Sequence, residues 1–416
     1  MSLRTILLLL INLACFTSRA EAPLVTKGEL DLTTWNQKQM PTISLAGEWR
    51  FYWQELLTAN QLDSKAYSFA QLSVPWNEQE IDGKTLPKTG YATYALRIKL
   101  PPAIKEIAFA VPAVFNSYAF WVDNELICSS GQVGTTESET IPKWKPQTVL
   151  VKINSPTITV LFQIANFQNT RGGCAEVMRI GEAGYLTWLS DIYHTTGKLL
   201  IIFCALLGSA GISIYYLTDA KGYLYLAFLG FAYLLRFLFS DLYLATNFEI
   251  DLPWLMAAKI EYATVPLIVA AAATFMSAIY PKEFKRTARI FFQATSAIAV
   301  LCIVLIPSGG LTPILLLLQV LGLSLAVYCS ISILRAVITN RSGAWVTALS
   351  MGVLIAVASY NVYAFIMVLD LNRAFIHIGY ACALSLAAFS LMYRTPLRLK
   401  QEDSEMLRYE DLYRTE

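Results

Sequence analysis

Between Leu199 and Tyr393 the chain passes through one apolar block after another with only short polar punctuation, and this stretch limits the folds open to it more than any other feature. The blocks are Leu199–Leu217, Tyr223–Ser240, Leu255–Tyr280, Ile290–Ile306, Leu311–Leu334, Ala344–Leu369 and Ala374–Tyr393. A helix that is apolar all round has no face to offer water. A bilayer accepts such a helix once about 20 mostly apolar residues follow one another. Inside lipid every backbone polar group must be paired within its own segment, so the blocks are expected to be transmembrane helices, seven in all.

The charges between the blocks set an expected orientation. If the segment ahead of the first span lies outside, the inner side carries Lys221, Lys282, Lys285, Arg286, Arg289, Arg335, Arg341, Arg394, Arg398 and Lys400, and the outer side essentially Arg373. The stretch from Asp241 to Pro253 has acids and no base. The positive-inside rule then puts the N-terminal region in the periplasm and the C-terminus in the cytoplasm of a bacterial inner-membrane protein. The 416 residues are 56% hydrophobic and 15% charged, and the apolar surplus sits in the second half. A net charge of +2 gives nucleic acid no electrostatic footprint.

Residues 1–20 read as a signal peptide: Arg4, then an apolar run from Ile6 to Phe16, then small residues, with the cut placed after Ala20. A lipidated Cys15 and an uncleaved anchor are the alternatives. Of the remaining cysteines, Cys204, Cys302, Cys329 and Cys382 lie in spans as small packing residues. Cys128 and Cys174 are the pair in the exported region. An oxidising compartment permits a disulfide between them, and two buried free thiols are the other reading.

Residues 21–184 form the expected exported domain. Short alternating stretches recur in it, at Thr42–Leu45, Trp49–Trp53, Tyr91–Leu100, Glu106–Val111, Ser117–Val122, Thr148–Ile153 and Thr157–Ile164. Asp123-Asn124 is a hairpin turn signal between Tyr118–Val122 and Glu125–Cys128. Many short strands separated by Gly, Pro and Asn argue for an all-β sandwich or jelly roll.

Particular residues here carry a resemblance. Gly47 to Trp53, Val74-Pro75-Trp76 and Gly90 to Tyr94 resemble the opening of the extracellular jelly-roll module of bacterial seven-transmembrane receptors with diverse intracellular signalling modules. Asn166-Phe167, Gly172-Gly173 and Gly181 resemble its close, and the seven apolar blocks at 199–393 follow as in that family. The resemblance implies a galactose-binding-like jelly roll, a small extracytoplasmic ligand of carbohydrate type, homodimerisation, and a cytoplasmic partner of kinase or cyclase class. It also implies an output domain after the last span; here 394–416 is a short charged tail, so the output is carried by a separate protein or by a continuation of the chain.

Sugar sites use aromatic faces with a few planar polar groups. Trp76, Tyr91, Tyr118, Trp121 and Trp144 are the candidates, with the polar loop Gly131 to Lys145 as a rim, and core packing is the competing reading for each. In the membrane half, ionisable and polar residues within spans are functional candidates because burying them is costly. Arg236, Lys259, Glu261, Asn361 and His377 all fall near the outer ends, where a polar cluster under the jelly roll would feel its docking; snorkelling side chains are the alternative. No HExxH, Gly-x-Ser-x-Gly, Walker loop or Cys-x-x-Cys is present, and the chain has two histidines, so no catalytic residue, metal site or cofactor is expected. The expected function is a membrane sensory receptor. A transporter or channel with an exported accessory domain would need broken helices and polar groups at mid-membrane. An adhesion or assembly protein would use the sandwich to hold a partner.

Overall fold

The computed structural model describes residues 23–114, 116–240, 252–307, 311–366 and 373–393. The expected signal peptide, the tail at 394–416, Gly309-Gly310 and most of the acidic loop (241–251) lie outside these residues.

Among the described residues the N-terminal region is built of β-strands, with two short 3-10 turns at Ala59–Ser64 and Trp76–Glu78. Its strands are β1 (Glu29–Asp31), β2 (Thr42–Ser44), β3 (Glu48–Trp53), β4 (Ser68–Gln71), β5 (Glu80–Ile81), β6 (Lys84–Thr85), β7 (Gly90–Lys99), β8 (Glu106–Val111), β9 (Ser117–Val122), β10 (Glu125–Ser130), β11 (Gln147–Lys152), β12 (Thr157–Asn166) and β13 (Arg179–Gly181). The larger sheet runs β10-β9-β12-β7-β3-β4. One edge of β7 is shared: β3 pairs along Ala92–Ala95 and β1, in parallel, along Arg97–Lys99. The smaller sheet runs β11-β8-β13-β2. The turn at Asp123-Asn124 closes the β9–β10 hairpin, with Asp123 at φ +56° as a tight turn requires.

Alternation explains how the sheets stack. On β7, Ala92, Tyr94, Leu96 and Ile98 are buried in the core shared with Trp49, Phe51, Phe109, Phe120 and Phe162. The opposite face carries Tyr91, Thr93, Ala95 and Arg97, since side chains switch face at every residue. Part of that outer face is covered in turn. The segment that follows β3 lays Leu57 and Leu62 over Tyr52, Ala95 and Leu161 in a second small core.

Among the described residues the C-terminal region consists of helices α1 (Ala183–Thr218), α2 (Lys221–Phe239), α3 (Trp254–Ile279), α4 (Arg286–Leu305), α5 (Leu311–Ile338), α6 (Ala344–Ile366) and α7 (Arg373–Met392). All seven are long and apolar enough to cross a membrane, which makes this a multi-pass membrane protein. The helices begin close to the expected apolar blocks, with one exception. α1 starts at Ala183 rather than Leu199 and has 36 residues. At 1.5 Å per residue that is about 54 Å, against a hydrocarbon core of about 30 Å. Its first turns therefore stand clear of the bilayer. Asp191, His194 and Lys198 end the apolar signal there without ending the helix.

Candidate functional site

The sandwich is mounted on the bundle at two points. The first is covalent. β13 lies between β8 and β2, and its last residue, Gly181, is separated from α1 by Glu182 alone. The Glu182 carboxylate caps α1 by accepting from the amides of Gly184 and Tyr185. Its own amide donates to the Pro41 carbonyl at 2.9 Å, which ties the cap back to the sandwich. The projecting turns of α1 then pack on β8 and β11, and Leu186 is buried against Gly181. A strand in the middle of a sheet thus continues into a membrane helix with no flexible linker.

The second mount is the loop between β10 and β11. Its two sides are held to the sandwich on either side of Trp144. The Lys143 amide donates to the Asn116 carbonyl at 2.9 Å and the Ser130 hydroxyl to the Lys143 carbonyl at 2.7 Å. The Tyr118 hydroxyl, reaching out of the core, donates to the Lys145 carbonyl at 2.8 Å and accepts from Gln147 Nε2 at 2.9 Å. Held this way, Trp144 meets Trp254, the first residue of α3, edge to face with ring centroids 5.6 Å apart. Trp254 is buried with Ala258, Ile303, Ile314 and Leu318. The contact therefore joins the sandwich to α3, α4 and α5 together.

Just below this contact lie the polar residues expected in the spans. Arg236 of α2 and Glu261 of α3 form an ion pair at 3.7 Å. Lys259 does not join them: its Nζ donates to the Val304 carbonyl at 2.7 Å, capping the C-terminal turn of α4 where the helix dipole favours a cation. His377 is buried on α7, with Nδ1 2.9 Å from the Thr196 hydroxyl of α1. Asn361 is half-buried near the same end of α6. Four of these residues thus make three interhelical ties: Arg236 with Glu261, Lys259 with the Val304 carbonyl, and His377 with Thr196.

The aromatic candidates of the sandwich fall into two groups. Trp76 and Tyr118 are fully buried, and Trp144 is committed to Trp254. Tyr91 and Trp121 are half-buried on the outer face of the larger sheet, where Trp121 Nε1 donates to Gln163 Oε1 at 3.1 Å. Trp76 is the centre of a knot made by the motif residues. Its Nε1 donates to the Pro87 carbonyl at 2.9 Å, and its ring lies edge-on to Trp53 at 5.2 Å. A Cβ on Gly172 would come within 2.3 Å of the Trp76 indole, so only glycine admits the ring there. Gly90, at φ +149°, is likewise closed against Trp53. Asn166 fastens the other side, with Nδ2 donating to the carbonyls of Lys88 and Arg171.

Cys128 and Cys174 are free, buried thiols. Burial pushes both up to about 12, so neither holds appreciable thiolate near neutral pH. Iodoacetamide should therefore leave both unmodified in the folded chain and label both once SDS unfolds it. Mass spectrometry of the digested protein reads this directly, and rapid labelling of either residue in the folded state would contradict the buried placement.

Several positions of structural consequence carry no motif that sequence reading could single out. Trp254 reads as an ordinary start of a span. Pro266 sits inside an apolar block, and Glu283 is a lone acid among Lys282, Lys285 and Arg286. That acid was the available signal. Its side chain is 7% exposed and pairs with Arg341 Nε at 2.7 Å, joining the α3–α4 loop to the α5–α6 loop at the end of the bundle away from the sandwich.

The model of the 7TM diverse intracellular signalling family matches residues 195–394. No curated protein matches the sequence significantly. Among solved structures, a GH2 beta-galacturonidase from Eisenbergiella tayi bound to galacturonate is similar over 34% of this chain and 24% of its own, at 16% identity and a TM-score of 0.25. A beta-glucuronidase from Ruminococcus gnavus in complex with uronic isofagomine is similar over 33% of this chain and 28% of its own, at 12% identity and a TM-score of 0.25. The chain thus spans only about a quarter of the length of either enzyme. The family match falls on the seven apolar helices and begins within α1, so residues 195–394 are similar to the seven-helix domain of the 7TM diverse intracellular signalling family.

Proposed function

We propose that the chain is an inner-membrane sensory receptor whose exported sandwich binds a small ligand of carbohydrate type and passes the event through the bundle to a cytoplasmic partner of kinase or cyclase class. The observation that carries this reading is the double mounting of the sandwich, on α1 by continuous chain and on α3 through Trp144 and Trp254. A domain fixed to the bundle at two points transmits a change in its own shape as a change in helix arrangement. A ligand does this only through a difference in its affinity for the two arrangements.

The charge distribution supports the orientation. Lys221, Lys282, Lys285, Arg286, Arg289, Arg335 and Arg341 all lie at the end of the bundle opposite the sandwich, where the positive-inside rule places the cytoplasm. Tyr91 and Trp121 present aromatic surface on the outer face of the larger sheet, and the loop at 131–145 adds polar groups beside the second mount.

The test is thermal. The full chain in lipid nanodiscs is melted against a panel of neutral and acidic mono- and oligosaccharides, with the sandwich followed by its near-UV signal. Binding to the folded state raises the melting temperature. A concentration-dependent rise with one sugar class is expected. A flat response across the panel from a folded protein removes carbohydrate as the ligand class.

A further inference from the structure

We infer that α3 is a hinged transmission helix, latched at its proline by Arg236 and linked at its far end, through Thr347 of α6, to the last turn of α7. The inference rests on the receptor reading above and adds the route by which movement of the sandwich crosses the membrane.

The hinge is Pro266, buried within α3. A proline inside a helix has no amide to donate to the carbonyl four residues earlier, here that of Tyr262, and its ring crowds that turn. Sharp bends in helices occur at such points. The turn just before it is held from outside. Arg236 Nη1 lies 3.3 Å from the Glu261 carbonyl, 3.5 Å from the Thr264 hydroxyl and 3.7 Å from the Glu261 carboxylate. Thr264, itself fully buried, closes the same turn by donating to the Glu261 carbonyl. The guanidinium is thus directed at the one turn of α3 that its own backbone holds least well. A charge in a span is costly. Here its contacts with α3 are gathered where the helix is free to bend.

The two ends of α3 are what such a hinge would connect. At the near end, Trp254 carries the sandwich contact. At the far end, the Tyr280 hydroxyl meets the Thr347 hydroxyl of α6 at 2.8 Å, and Thr347 meets the Ser390 hydroxyl of α7 at 2.6 Å. Ser390 also donates to the Gly343 carbonyl at 3.1 Å. Thr347 and Ser390 are both buried, so the relay is dry and its members hold one another in place. Ser390 lies in the final turn of α7. Glu283 with Arg341 fixes the loop that follows α3 beside it. Bending at Pro266 shifts Tyr280 against Thr347 and so loosens or tightens the end of α7.

Amide hydrogen exchange on the full chain in nanodiscs tests this, because it reads local opening segment by segment. Arg236→Gln should raise exchange at 262–269 and, by about tenfold, at 280–285 and 388–393, with α5 unchanged. Pro266→Ala restores a continuous helix, so Arg236→Gln combined with Pro266→Ala should return both regions to the protection of the unaltered chain. A rise confined to α2, a rise spread equally over all seven helices, or failure of Pro266→Ala to restore protection overturns the inference. Trp144→Ala separates it from the reading beneath it. A response at 254–262 and 280–285 supports both. A response in α1 alone leaves the receptor reading standing and overturns α3 as the route. No response anywhere in the bundle overturns both.

Discussion

Arg341→Ala should lower the unfolding free energy of the bundle by about 3 kcal/mol, near the lower end of the cost of orphaning one member of a buried ion pair. The reason lies in the unequal burial of the two partners. The Glu283 side chain is 7% exposed while that of Arg341 is 39% exposed, so the substitution removes the partner that reaches water and strands the one that does not. Glu283 has little means of escape. Its amide donates to the Tyr280 carbonyl at 3.2 Å, its carbonyl accepts from the Ser332 hydroxyl at 3.3 Å, and Phe284 beside it is fully buried against Tyr328. The double substitution Glu283→Gln with Arg341→Ala should recover most of the loss, because a neutral amide costs far less to leave in place than a charge. Graded SDS unfolding of the chain in mixed micelles checks this. Equal losses for the single and double variants would show that Arg341 acts through packing instead.

Trp76→Ala should cost the sandwich about 3–5 kcal/mol, the usual range for truncating a fully buried aromatic, which is a large part of the 5–15 kcal/mol that holds a typical domain. The informative experiment pairs it with Gly172→Ala. Alone, the added methyl is driven into the indole, since its carbon would lie 2.3 Å from the Trp76 ring, and overpacking of this kind costs about 1–3 kcal/mol. The backbone at Gly172 cannot retreat easily. Its carbonyl accepts from the Trp76 amide and its amide donates to Asn77 Oδ1, both at 2.9 Å. With Trp76 replaced by alanine the methyl enters vacated space, so Gly172→Ala should then be nearly neutral. The coupling in the double-mutant cycle should be about as large as the single Gly172→Ala effect. Independent, additive losses by thermal melting would contradict the packing described for this knot.

How much of this was legible in the sequence differs by element. The spans were, because twenty apolar residues in a row have few uses outside a bilayer. So were the long strands, as at Tyr91–Leu100, where burial on alternate sides imposes a period of two. The short strands β1, β4 and β13 were not, since three or four residues hold too little alternation to separate from a loop. The helical extension of α1 was hidden for a different reason. Outside the membrane an amphipathic helix resting on a sheet does not need a continuous apolar run.

The candidate site was legible in kind more than in pairing. An arginine and a glutamate inside spans announce a cost that something must offset, and Arg236 does meet Glu261. Lys259, two residues from Glu261 in sequence, points elsewhere, because residues two apart on a helix face different directions. Trp144 carried no sign of its role either. An indole in a polar loop serves a sugar or a neighbouring helix equally well, and the position of Trp254 decides between them. Trp76 and Gly172 lie far apart in sequence, and nothing in either motif reveals that each exists to admit the other.

The double mounting is the centre of the account, and one distance tests it. Spin labels at Glu125, exposed on β10, and at Lys221, exposed at the far end of α2, report the sandwich against the bundle. Cys302 and Cys382, exposed among the described residues, are first replaced by serine. Pulsed dipolar spectroscopy of the full chain in nanodiscs should give one narrow distance distribution, broadened by Trp144→Ala, which removes one of the two attachments. A broad distribution in the chain with Trp144 intact would mean that the sandwich swings on α1 as a tether, and the bundle could not then read its state.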